Sequence, residues 1–202
     1  MTEQDRVTGA PLPEADAARI EQLLCEGRPF AALAAASRAL KEQGETHEGL
    51  CRIARIETQL GLSLRARRTW RRALLLGESA DAHGGFGALL IRDGDFVGGI
   101  AHIEAALKLA PADGALLSAL GLAHLYLGDA ATARHLAARA LVYAPDQVDA
   151  ALCLVRANLM LQDLEKAETL LAGLARGNME MPMFKRSRPN TNASAGSKVS
   201  AP

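Results

Sequence analysis

The stretch "GLAHLYLGDAATARHLAARALVYAP", Gly121 to Pro145, repeats the skeleton of "GALLIRDGDFVGGIAHIEAALKLAP", Gly87 to Pro111, 34 residues upstream. What the copies share is steric. Gly87 matches Gly121, Gly94-Asp95 matches Gly128-Asp129, Ala106-Leu107 matches Ala140-Leu141, and Ala110-Pro111 matches Ala144-Pro145. The later copy reads as one helix from Gly121 to Tyr126, a glycine stop followed by an aspartate cap, and a second helix from Ala130 to Tyr143 that ends before Pro145. Two antiparallel helices in a tight hairpin need small residues where their axes come closest. Gly121, Ala133 and Ala140 have the spacing to supply them.

Outward from these copies the same register continues. A hairpin over about 148–181 has Ala167 at a small site and Gln162-Asp163 at its turn, with Leu174 where a second small residue is expected. Upstream, 47–79 keeps Ala54, Gly61, Ala66, Trp70 and Ala73, lacks the proline and is one residue short. Farther upstream, 13–46 has Gly27 at the turn, Ala32 and Ala39, with Ile20 at the first small site. A 34-residue helical hairpin with small residues at its eighth, twentieth and twenty-seventh positions and proline at its thirty-second resembles the tetratricopeptide repeat. The resemblance covers most of the chain. It implies an all-α, right-handed α-solenoid of about five stacked hairpins, with repeats at 80–113 and 114–147 joining the three above. Residues 1–12 are then a flexible leading segment and 182–202 a disordered basic, serine-rich tail.

Composition agrees with helices. The chain has 202 residues, enough for a substantial core, and aromatics make up only 3%, too few for a sheet core or an aromatic ligand pocket. Lys plus Arg and Asp plus Glu number 23 each, so no global field draws the chain onto nucleic acid or anionic lipid. Cys25, Cys51 and Cys153 form no CxxC pattern and read as small buried hydrophobes. The opening residues carry acids where a secretion signal needs a basic start, and no apolar run reaches membrane-span length. A cytoplasmic protein is the expectation.

The chemistry-bearing motifs point away from catalysis. "HGGFG" and "GDFVGG" are not a phosphate loop, because no Gly-Lys-Ser/Thr follows and no strand precedes. His47, His83, His102, His124 and His135 lack i, i+4 spacing, and His83 is remote in repeat register from His102, so neither metal nor cofactor is expected. The glycine-crowded third hairpin should be the softest. In "RARRTWRRALL", Arg65 to Leu75, Arg65, Arg68 and Arg72 share one helical face and Arg67 and Arg71 another. The expected role is a solvated outer face partnered by Glu45, Glu48, Glu57 and Glu78, with Trp70 in the core.

The resemblance further implies a concave groove lined by the first helix of each hairpin, suited to a peptide segment rather than to chemistry. Carried over position by position, the groove takes Arg52 and Arg55 from the second repeat and Ile91 and Arg92 from the third. Leu122, Leu125 and Tyr126 come from the fourth, and Leu152, Arg156 and Leu159 from the fifth. One end is expected to be cationic and the other apolar. The implied role is a non-enzymatic adaptor or assembly chaperone for a protein partner, with secretion and pilus-assembly factors similar in size and plan. The alternative is a self-associating scaffold docking through its ends or convex face.

Overall fold

The computed structural model describes residues 13–175, so the leading segment and the basic tail lie outside the described residues. Ten α-helices and no strands form among the described residues. They are α1 (Glu14–Cys25), α2 (Pro29–Gln43), α3 (His47–Gln59), α4 (Ser63–Leu76), α5 (Ala80–Arg92), α6 (Phe96–Leu109), α7 (Gly114–Tyr126), α8 (Ala130–Tyr143), α9 (Val148–Met160) and α10 (Leu164–Ala175). Each odd helix pairs with the even helix that follows it.

The turn chemistry sets the repeat. At every hairpin turn one residue takes positive φ: Gly27, Gly61, Gly94, Gly128 and Gln162. That residue closes the preceding helix, as where the Gly128 amide donates to the Leu125 carbonyl and the Asp129 amide to the His124 carbonyl. The aspartates after the two central glycines then cap the second helices. Asp95 accepts from the Gly98 amide at 3.0 Å and Asp129 from the Thr132 amide at 3.1 Å.

The small residues lie where the helices meet. Ala32, Ala66, Ala133 and Ala167 are fully buried, as are Ala73, Ala106 and Ala140. Gly87 and Gly99 face each other so closely that a Cβ on Gly87 would lie 2.9 Å from the Gly99 carbonyl oxygen. Trp70 is buried, donates its indole N–H to Thr58 Oγ1 at 3.2 Å, and fills the space beside Gly85. The glycines of α5 and α6 therefore mark close helix contacts. Leu116 occupies the room beside Gly84 and Trp70 that beside Gly85.

Hairpins stack in chain order, and the two layers stack differently. Helices α3, α5, α7 and α9 touch in succession, whereas the even helices make no comparable contact with one another. Closer spacing in the odd layer puts it on the inside of the curve, and the even helices splay on the outside. The core runs through the stack as two clusters that adjoin at Leu90 and Ile91 on α5.

Candidate functional site

The inner face changes character along its length. On α3, Arg52 pairs with Glu48 at 3.0 Å and Glu21 at 3.4 Å. Arg55 reaches both carboxylate oxygens of Asp81, on the next inner helix, at 2.6 and 2.7 Å. Arg92 donates to the Thr58 carbonyl at 2.7 Å. The end expected to be cationic is thus internally partnered. Glu48 and Asp81 lie in the first turns of their helices, where carboxylates suit the helix dipole, and stacking brings Asp81 beside an arginine 26 residues away.

The other end keeps its exposed apolar groups. Tyr126, Leu152, Leu159 and Met160 on α7 and α9 are 51, 44, 43 and 49% exposed, and Leu122 is half-buried beside them. Tyr126 stacks on Phe96 with ring centroids 5.0 Å apart, and the Arg156 guanidinium stands 5.6 Å from the Tyr126 ring centroid. No carboxylate among the described residues pairs with Arg156. Two groove candidates belong to the core instead: Ile91 is 6% exposed and Leu125 5%. Phe96 escapes sequence reasoning because it opens a second helix, outside the positions a groove would use. The carboxylates that answer Arg52 and Arg55 escape it because they belong partly to neighbouring hairpins.

The histidine spacing misleads. His83 and His102, 19 residues apart, meet across α5 and α6 with their Nδ1 atoms 3.0 Å apart. Antiparallel pairing within a hairpin brings together residues whose repeat positions differ. Among the described residues no group of three or more His, Cys, Asp or Glu side chains is placed to hold a metal ion.

A Cys–His–Ser arrangement joins the second and third hairpins. Cys51 Sγ lies 3.7 Å from His47 Nε2, which is 2.9 Å from Ser79 Oγ, while His47 Nδ1 is 3.0 Å from the Ala73 carbonyl. Burial, reinforced by the charges of Asp81 and Glu48 and opposed by Arg55, pushes the Cys51 thiol up to about 12. A thiol held neutral is no nucleophile at neutral pH. The arrangement works as a clamp between helix ends.

The outer arginines divide as their helical spacing foretells. Arg65 pairs with Glu57 at 3.1 Å and Arg72 with Glu45, while on the other face Arg67 pairs with Asp93 at 2.8 Å and Arg71 lies over Phe86. Glu48 is absorbed by Arg52 instead.

With this geometry in view, the chain is similar in structure to several solved proteins. It matches residues 41 to the end of MamA from Desulfovibrio magneticus RS-1 at a TM-score of 0.71 and 19% identity, over 84% of this chain and 96% of that one. It matches PilF of Pseudomonas aeruginosa at 0.72 and 19%, over 82% and 77%. It matches TTC0263, a thermophilic tetratricopeptide-repeat protein of Thermus thermophilus, at 0.68 and 22%, over 81% and 90%. No family model matches the sequence, and no curated protein matches it. The chain is an α-solenoid with the tetratricopeptide-repeat fold. Among the described residues no helix is long and apolar enough to cross a membrane.

Proposed function

We propose that this chain is a non-enzymatic protein-interaction adaptor or assembly chaperone that holds a segment of a partner protein on the inner face of α7 and α9. The observation that carries the reading is the run of exposed apolar side chains at Tyr126, Leu152, Leu159 and Met160, with Arg156 among them. Aromatic, leucine and arginine groups grouped on one concave face are what a peptide segment with apolar anchors requires. The internally paired Arg52, Arg55 and Arg92 contribute shape at the other end rather than free charge. The shared fold of the solved neighbours supports protein binding in general. Secretion and pilus-assembly components are the first clients to try, on the resemblance in size and plan, and the setting is cytoplasmic.

A triple variant, Tyr126→Ala with Leu152→Ala and Leu159→Ala, tests the reading. Affinity capture compared with the unaltered chain should lose its partner while sedimentation velocity shows an unchanged oligomeric state. Retained capture refutes the inner-face site. The scaffold alternative draws on the outer layer, where Leu75, Val97 and Val142 are exposed. It requires the opposite outcome, a concentration-dependent oligomer that dissociates when these outer residues are changed to Ser.

A further inference from the structure

We propose that the cleft between α2 and α4, on the outer layer, is a second docking site, and that it takes an acidic segment of a partner protein. Outer helices stand apart, and here the gap over α3 is a cleft of about 450 Å³. Its walls carry Lys41 from α2 and Arg65, Arg68 and Arg72 from α4, with Ser37 at the rim and the edges of Leu40 and Ile53 beneath.

The charges do not cancel. Glu57 is 2% exposed and sunk into the wall, where it accepts from Thr69 Oγ1 at 2.7 Å and pairs with Arg65 at 3.1 Å. Glu45 is taken by Arg72. Arg68 and Lys41 have no acidic partner among the described residues, and both are exposed. The cleft therefore keeps two unanswered cations, flanked by two arginines already oriented by their own carboxylates. Arg65, Arg68 and Arg72 follow one another at successive turns of α4, so their Cα positions are spaced by about 5 Å along the helix. Discrete carboxylates on a peptide can meet such a row between the resident Glu45 and Glu57. A nucleic-acid backbone, with about one charge per 1.7 Å of duplex, would lie against those two carboxylates, and the chain has no net positive charge to offset the repulsion. The acidic protein segment is the better complement.

A display library of random short peptides, selected on the full chain, supplies the probe. The proposal expects selected peptides to be rich in Asp and Glu, to bind at least about tenfold more weakly to Arg68→Glu or Lys41→Glu, and to lose affinity as salt rises. Binding of these peptides should be unchanged in Tyr126→Ala, which separates this site from the inner face. Arg68→Gln serves as a milder variant, and circular dichroism checks that each variant is folded. The proposal is overturned if no acidic peptide is selected, if Arg68→Glu and Arg68→Gln leave binding intact, or if Tyr126→Ala abolishes it. It is equally overturned if a fluorescent DNA duplex binds through Arg68 and the peptides do not.

Discussion

His83 Nδ1 and His102 Nδ1 face each other at 3.0 Å between α5 and α6, so one imidazole must donate and the other accept. Burial holds His102 below its ordinary value of 6.5, and the charges of His83 and Arg71 add to the shift, with Asp95 opposing it. A proton on both rings would set two N–H groups against each other.

The pH dependence follows from that direction. His102 binds its proton less readily folded than unfolded, so its contribution to stability is intact above the unfolded value and is lost as pH falls through the folded one. Thermal melts should show Tm dropping as pH is lowered from about 7 to about 5, with a shallower drop in His102→Gln. An equally steep drop in the variant would show that other groups are responsible.

Gly87→Ala should destabilise by about 1–3 kcal/mol, because its Cβ would fall 2.9 Å from the backbone oxygen of Gly99, which cannot swing aside. Gly85→Ala meets the Trp70 ring, also buried, and should cost a similar amount. Urea titrations with unchanged m-values measure both. A stabilised Gly87→Ala would mean that α5 and α6 pack less closely than the structure shows.

Gln162 holds a left-handed turn, φ 60°, that glycine holds in the other four hairpins. Gln162→Gly should therefore raise stability by about 1 kcal/mol, while Gly128→Ala, at φ 85°, should lower it by about the same. Paired denaturant melts check the opposite signs.

Thiol reactivity should separate the cysteines. Cys25 is exposed, whereas burial pushes the Cys51 thiol up to about 12 and the Cys153 thiol up to about 11, Arg156 partly opposing the latter. Iodoacetamide at neutral pH should label Cys25 in the folded chain and reach the other two only in denaturant, as mass spectrometry of the peptides would read.

The architecture was legible in the sequence because it rests on local rules. Glycine at positive φ, aspartate as a cap, alanine at a crossing point and a following proline each act within one hairpin, and two near copies 34 residues apart expose the pattern. The division of the Arg65–Arg72 run into two faces was equally readable, since helix geometry alone fixes it. The candidate site was legible as a set of inner-helix positions, and less so in its chemistry.

What the order of residues determined, then, was the hairpin and its repetition. Tertiary structure decided which side chains remain available to a partner. Stacking brought Asp81 to Arg55 and Phe96 under Tyr126, the pairing of α5 with α6 set His102 against His83, and packing sank Ile91 and Leu125 into the core. Charge pairing and exposure depend on distances across neighbouring helices, and those distances exist only once the hairpins have packed.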